Sequence, residues 1–273
     1  MLKSLSTLLL ILLLWLGIVS PSQANIALAD TVPDFSAEQV ESIAEWRDRA
    51  FTATNAGDFA TAETYWTKLI KALPDEPAIW SNRGNARVSQ NKLQEAIEDY
   101  NYAIELAPEA PDPYLNRGAA LEGLARWQEA IADYNHVLQL DANDPAAYNN
   151  RGNAEAGFGE WEKAIADYYH AAELAPDFAF ARANYALALY QVGRTREAVR
   201  EMRNLVRKYP QFPDVRAALT AALWSQGNQG EAESNWVAVM GLDTRYKDLE
   251  WVANVRRWPP AAVNALEKFL NLN

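Results

Sequence analysis

The chain has 273 residues, and its 36 acidic residues against 25 Lys and Arg residues give a formal net charge of −11. This balance argues against sequence-independent binding to nucleic acid, because such binding needs Lys and Arg to neutralise phosphates. There is no cysteine, which excludes disulfides, thiolate metal sites, a cysteine nucleophile and a cysteine-linked lipid anchor.

The segment 1–29 has the layout of an export signal. Lys3 precedes an apolar run over 8–19, which is followed by Pro21 and small residues. The run is shorter than the roughly 20 residues that a membrane-spanning helix needs. Two small-x-small cleavage sites follow it, at 22–24 and 27–29, and the second, which fits the A-x-A pattern better, predicts a mature chain that begins near Asp30. The alternative is that the segment is not cleaved and anchors the chain in the membrane. In both cases we expect the rest of the chain to face a non-cytoplasmic space.

Residues 30–42 show no periodic pattern and predict a loose lead-in. After them the sequence repeats with a period of 34. The most regular members of the repeat are Ala62, Ala96, Ala130, Ala164, Ala198 and Ala232. In the same frame a small residue precedes each alanine and a large residue follows it, and proline closes four of the six units. The period predicts helical hairpins in which the small residue allows close approach of the second helix.

The repeat frame divides most of the chain into six units. They are 43–76, 77–110, 111–144, 145–178, 179–212 and 213–246. Glycine in four of them, Gly57, Gly159, Gly193 and Gly227, falls where a left-handed turn between the two helices would need it. Residues 247–273 predict two C-terminal capping helices around the Pro259-Pro260 break, which would cover the last unit.

The segments W-S-N-R-G-N-A at 80–86 and E-A-I-E-D-Y at 95–100, together with the period of 34, resemble the tetratricopeptide repeat (TPR) family. The resemblance implies an all-α fold, a right-handed α-solenoid of helix-turn-helix repeats. It also implies that the first helices line a concave surface able to hold an extended peptide. Ser81 and Ala146 are not basic, so the clamp with which some members grip a terminal carboxylate is not expected.

Asparagines recur on the predicted first helices. One per unit is found at Asn82, Asn116, Asn150 and Asn184, and two more follow one turn later at Asn85 and Asn153. Each amide both donates and accepts hydrogen bonds, so a ladder of them can pair with the backbone of a bound strand of any sequence. These residues are the predicted peptide-binding site. The other interpretation is that the asparagines only follow the family consensus.

Arginine recurs immediately before the small residue of four units, at Arg49, Arg83, Arg117 and Arg151. We expect each aliphatic stem to cover the neighbouring helix while the guanidinium reaches solvent or an acidic partner.

Charge is unevenly distributed along the repeats. Residues 95–177 carry 17 acidic and 4 basic residues, whereas residues 181–216 carry 8 basic and 3 acidic ones. Helical spacing within the basic segment predicts an arginine ridge formed by Arg196, Arg200, Arg203 and Arg207. The ridge would suit an acidic partner or anionic lipid headgroups, and the alternative is an ordinary solvated face.

No motif predicts a cofactor or a catalytic site. His136 and His170 occupy equivalent positions in adjacent units, and a metal would need further ligands that the pattern does not supply. No G-x-S-x-G segment occurs. The sequence therefore predicts a non-catalytic scaffold that holds an extended segment of a client protein. An enzyme is the least favoured alternative.

A second alternative is a membrane-associated assembly factor, kept at the bilayer by residues 8–19 or by the arginine ridge. The export signal, the acidic units and the tail over 251–260 also resemble TPR proteins of the cyanobacterial and plastid thylakoid lumen. That resemblance implies a role in building or maintaining photosynthetic complexes. An ordinary periplasmic protein is the other interpretation, and the sequence does not decide the oligomeric state.

Overall fold

A computed structural model describes residues 35–271. Within this range the chain forms fourteen α-helices and one 3-10 turn, and it contains no β-strand. The predicted signal over 1–29 lies outside the described residues. The helices fall into two compact units, each larger than the 34-residue repeats, that divide between Arg126 and Trp127. They are called unit 1 and unit 2 below.

Unit 1 holds the first five helices, and consecutive helices pack against each other. They are α1 (Ala37–Asn55), α2 (Phe59–Ala72), α3 (Pro77–Ser89), α4 (Leu93–Leu106) and α5 (Pro111–Gly123). The predicted loose lead-in is wrong for residues 37–42, which belong to α1. Ser36 caps this helix, because its Oγ accepts a hydrogen bond from the Gln39 amide at 3.2 Å and the Gln39 side chain accepts one from the Ser36 amide at 2.8 Å.

Unit 2 holds the remaining nine helices of the described range. They are α6 (Trp127–Leu140), α7 (Pro145–Phe158), α8 (Trp161–Leu174), α9 (Ala179–Gln191), α10 (Thr195–Lys208), α11 (Pro213–Ser225), α12 (Gln229–Leu242), α13 (Leu249–Asn254) and α14 (Pro260–Asn271). Neighbours from α6 to α12 pack in order, and α14 packs against α11 and α9.

The buried alanines explain why the helices pair in this frame. All six alanines of the repeat are completely buried. A Cβ added at Gly84 would come within 2.7 Å of the Tyr100 ring, and one added at Gly152 within 2.8 Å of the Tyr168 ring. The small residue of the first helix therefore lets the aromatic residue of the second helix lie directly on its backbone. The all-α fold of packed helix pairs is confirmed.

A left-handed residue lies in the turn after each first helix. These residues are Gly57, Asn91, Ala125, Gly159, Gly193 and Gly227, with φ between 55° and 93°. The four predicted glycine turns are confirmed. Ala125, with φ of 55°, has a Cβ that crowds the following carbonyl oxygen in this conformation.

Arginines of the first helices reach buried carboxylates. Arg83 on α3 donates two hydrogen bonds to Asp99 on α4, at 3.0 and 2.6 Å, and a third to Thr67 on α2 at 3.2 Å. Arg151 makes the same two-pronged contact with Asp167 in unit 2, at 2.6 and 2.8 Å. The expected acidic partner is therefore within the chain for both arginines. Each pair ties a first helix to its second helix through charge-assisted bonds.

Glu155 lies one turn after Arg151 on α7 and is buried without a full set of partners. Its Oε2 accepts no hydrogen bond within residues 35–271. Burial and the nearby Asp167 carboxylate raise the pKa of Glu155 from 4.5 to about 7. Ionising this group therefore costs free energy in the folded state.

One buried carboxylate joins the C-terminal segment to the repeats. Asp214, in the first turn of α11, accepts hydrogen bonds from the Tyr246 hydroxyl at 2.7 Å, the Trp258 indole at 2.9 Å and the Arg256 guanidinium at 2.9 and 3.1 Å. Burial and the Asp214 charge raise the pKa of Tyr246, so its hydroxyl remains a donor. The segment between α12 and α14 is thus held by one acceptor that serves three side chains.

We expect the Ala125→Gly variant to raise the free energy of unfolding by about 0.5–1 kcal/mol, because glycine adopts positive φ without the Cβ contact. Gly193→Ala is the reciprocal change and should lower it by about 1 kcal/mol. Thermal unfolding followed by circular dichroism measures both. A lower midpoint for Ala125→Gly would contradict the assignment of strain to this turn.

The Glu155→Gln variant should change how stability depends on pH. Because the folded pKa lies above the unfolded one, the wild type takes up a proton on folding between pH 4.5 and about 7. Its stability therefore falls as the pH rises through this window and levels off above it. The variant should match the wild type below the window and exceed it above the window by about 1–3 kcal/mol. Urea unfolding across the range measures this, with exposed Glu162→Gln as the control, and identical pH profiles would refute it.

The Asp214→Asn variant should lower the free energy of unfolding by about 3 kcal/mol, because it leaves the half-buried Arg256 guanidinium without its counter-charge. Asp177→Asn is the matched control, since its ion pair with Lys208 is exposed, and it should have a smaller effect. Denaturant unfolding and limited proteolysis after α12 are the measurements. Equal effects of the two variants would show that Asp214 does not anchor the segment.

Candidate functional site

In unit 1 the asparagines of the first helices have unused hydrogen-bonding capacity. Asn82 on α3 and Asn116 on α5 are half-buried, and neither side chain has a hydrogen-bond partner within residues 35–271. Asn85 accepts a hydrogen bond from the Tyr100 hydroxyl at 2.7 Å. Burial and the Asp99 charge raise the pKa of Tyr100, so this hydroxyl keeps its proton. The buried Ser81 Oγ, next to Asn82, also lacks a partner in the described range.

In unit 2 the equivalent asparagines bind one another. The Asn184 amide nitrogen donates to Asn149 Oδ1 at 3.1 Å and to Asn153 Oδ1 at 3.3 Å, and the Tyr168 hydroxyl donates to the same Asn153 oxygen at 2.9 Å. The Asn149 amide nitrogen donates to Asn150 Oδ1 at 3.2 Å. The structure therefore brings Asn150, Asn153 and Asn184 together through Asn149, a residue that sequence reasoning missed although it precedes Asn150 directly.

This network fixes the orientation of its amides and leaves two groups available. Within the described residues, Asn150 Nδ2 and Asn184 Oδ1 make no hydrogen bond to another side chain. One is a donor and the other an acceptor, which is the pair of groups that a peptide unit of an extended strand complements. In unit 2, hydrogen bonds between the asparagines thus fix the orientation of the side-chain amides. In unit 1, no such hydrogen bond fixes the amides of Asn82 and Asn116 within the described residues.

Aromatic rings lie beside the arginines of the same helices. The guanidinium of Arg83 lies 5.0 Å from the Trp80 ring centre, and that of Arg151 lies 5.3 Å from the Tyr148 ring centre. Tyr148 also contacts the His170 ring, with a centroid distance of 4.3 Å. These contacts hold the arginines against their own helices. Among the described residues, no group of three His, Asp or Glu side chains is placed to hold a metal.

Glu63 on α2 organises the charges at the C-terminal end of α3. It accepts hydrogen bonds from Lys92 at 2.7 Å, Arg87 at 2.9 Å and Gln90 at 2.9 Å. Burial opposes ionisation, but these three hydrogen bonds prevail and lower the pKa of Glu63 to about 2. The carboxylate therefore stays charged and keeps α3 docked on α2 at any ordinary pH.

The arginine ridge on α10 is exposed, but part of its charge is already neutralised. Arg203 donates to both carboxylate oxygens of Glu231 on α12, at 2.9 and 2.5 Å, which raises the pKa of Arg203. Arg207 donates to Asn204, and Arg200 lies 3.6 Å from the neighbouring carboxylate on its own helix. Within residues 35–271 Arg196 is the one of the four that makes no hydrogen bond or ion pair. The docking role of this ridge stays a prediction.

A helix that crosses a membrane must be both long and apolar. None of the helices within residues 35–271 combines the length and the apolar character that crossing a bilayer requires.

Comparison with known families identifies the repeats. A profile described as "TPR repeat" matches residues 84–124 and 126–156, and a second, described as "Tetratricopeptide repeat", matches residues 185–240. A search of curated proteins finds no match.

Solved structures share the fold at low sequence identity. A tetratricopeptide repeat protein from Parabacteroides merdae is 19% identical, with a TM-score of 0.65 over 85% of this chain and 98% of that one. The protein YrrB, described as a TPR protein with an unusual peptide-binding site, is 18% identical, with a TM-score of 0.52 over 70% of this chain and 97% of its own. MamA is 24% identical, with a TM-score of 0.55 over 63% of this chain and 93% of its own. The profiles and these structures agree that the chain carries tetratricopeptide repeats in both of its units.

Proposed function

We propose that the chain is an interaction scaffold that binds an extended segment of a client protein along its first helices. The proposed binding residues are Asn82, Asn85, Asn116, Asn150, Asn153 and Asn184. The observation that carries the proposal is the unused hydrogen-bonding capacity of the amides at Asn82 and Asn116 in unit 1 and at Asn150 and Asn184 in unit 2.

Recognition by these amides would be directed at the client backbone. A side-chain amide matches the donor and acceptor of a peptide group, so binding tolerates many client sequences. Each hydrogen bond contributes about 1 kcal/mol net. Useful affinity therefore needs several asparagines acting on one strand, and each unit supplies three of the proposed asparagines.

The charges near these helices favour certain clients. Residues 95–177 have 17 acidic and 4 basic residues, and such a field attracts segments that carry Lys or Arg and repels acidic ones. The description of YrrB as having a peptide-binding site supports the same class of function.

The test begins with a peptide selected from a random display library against the full chain. The Asn82→Ala/Asn116→Ala double variant should weaken binding of that peptide roughly tenfold or more, since it removes two amides worth about 1 kcal/mol each. Its thermal midpoint should stay unchanged, because neither amide has a partner in the described fold. Fluorescence anisotropy and circular dichroism give the two readings.

Asn264→Ala, at an exposed position on α14, is the matched control and should leave binding intact. If the double variant binds the selected peptide as tightly as the wild type, recognition does not occur at these asparagines. Equal losses in the double variant and in the control would point to a non-specific effect.

The place of action is part of the same proposal. Residues 1–29 would export the chain to a periplasm or a thylakoid lumen, as the sequence pattern suggests, and the client would be met there. A mature N terminus near Asp30, determined by mass spectrometry of the protein from its native source, would support cleavage. An intact Met1 in that material would instead favour the membrane-anchored alternative.

A further inference from the structure

The first helix pair has an open groove that none of the proposed peptide-binding asparagines lines. It lies between α1 and α2, has a volume of about 720 Å³, and is lined by residues of these two helices and the turn between them. Its lining includes Glu41, Glu45, Asp48, Thr52, Asp58 and Tyr65. We refer to it as the outer groove.

The repeat shows what kind of surface the outer groove is. Glu45 and Thr52 are exposed. Their equivalents 34 residues later in the next repeat, Ile79 and Ala86, are only 1% and 2% exposed. Ile79 and Ala86 belong to the hydrophobic cluster that α3 forms with α2. The outer groove is therefore the face that a preceding helix covers in the next pair, and residues 35–271 contain no helix ahead of α1.

The shape and floor of the outer groove fit a helix. In the following pair the covering element is α2, a helix of 14 residues. Small side chains, Ala44 and the buried Ala53, line the outer groove, so an apolar ridge of a docked helix can approach its backbone closely. Tyr65 adds a partly buried ring, and its hydroxyl accepts a hydrogen bond from Arg49 at 3.0 Å.

The charges of the outer groove determine the chemistry of the occupant. Four carboxylates, at Glu41, Glu45, Asp48 and Asp58, line it together with one basic residue. That residue, Arg49, is already paired with Glu45 at 2.7 Å, and Asp48 is paired with Arg47 of the same helix at 2.7 Å. The Glu41 carboxylate makes no hydrogen bond or ion pair in the described range. The excess negative charge favours a ligand that carries Lys or Arg beside its apolar ridge.

We propose that the outer groove docks a basic amphipathic helix of a partner protein, with its apolar ridge on Ala44 and Ala53 and its cations toward Glu41, Glu45 and Asp48. This contact is distinct from the extended segment bound along the asparagines. The chain would then hold two kinds of ligand at different places on its repeats.

The probe is a synthetic amphipathic helical peptide with Leu and Ala on one face and Lys on the other, measured against the full chain by fluorescence anisotropy. The same peptide with Glu in place of Lys should not bind. Glu41→Lys/Glu45→Lys should weaken binding of the Lys peptide roughly tenfold or more, and added salt should weaken binding to the wild type. Hydrogen exchange should show new protection in α1 and α2.

Glu98→Lys/Glu105→Lys is the matched control. It changes the net charge of the chain equally at two exposed positions on α4, and it should bind the Lys peptide as the wild type does. Equal losses in the two charge-reversal variants would overturn the proposal, since binding would then follow net charge alone. The Asn82→Ala/Asn116→Ala variant should also retain this peptide, and its loss there would place the peptide on the asparagine face.

Two other occupants would overturn the proposal and are distinguished by the same reagents. Dimerisation in sedimentation velocity that Glu41→Lys/Glu45→Lys abolishes would assign the outer groove to a second copy of the chain. Binding of the Lys peptide only after removal of the residues before Phe35 would assign it to the N-terminal segment of the chain itself.

Discussion

The close approach of a glycine on a first helix to a tyrosine ring on the following second helix, seen at Gly84 and Gly152, is the constraint on which the structure depends. At Gly84 and Gly152 any Cβ would meet the tyrosine ring within 2.8 Å. This contact fixes the distance and rotation of the two helices. It recurs with the sequence repeat, so it also fixes which side of each first helix remains outside the core. Asn82 and Asn150 lie two residues before these glycines and are therefore held half-buried at the edge of the helix pair.

A second layer of interactions holds that arrangement without using the asparagines. Arg83 and Arg151 direct their charge to the buried carboxylates Asp99 and Asp167, and the neighbouring aromatic rings keep the guanidinium groups on their own helices. The polar groups of the first helices are therefore divided by role. The arginines join helices, whereas the amides at Asn82 and Asn116 remain free of internal partners in the described fold. This division favours binding over packing as the role of those amides.

The fold could be predicted from the sequence because it depends on a strictly periodic pattern. The periodic alanines and the turn glycines each have one structural explanation, and both are confirmed. The start of α1 was missed, because its signal is the local capping pair of Ser36 and Gln39 and not the repeat. The anchoring role of Asp214 was also missed, since its partners lie 32 to 44 residues away and depend on how the chain returns after α12. Pair partners such as Glu231 for Arg203 were missed for the same reason.

The central claim is that an extended client segment pairs its backbone with the asparagine amides. The most direct measurement is a crystal structure of the chain with a library-selected peptide. The account predicts peptide N–H and C=O groups within hydrogen-bonding distance of Asn184 Oδ1 and Asn150 Nδ2 for a peptide bound in unit 2, or amide contacts from Asn82 and Asn116 for a peptide bound in unit 1. A peptide bound by its side chains alone, or on any surface that leaves these four amides in water, would contradict the account.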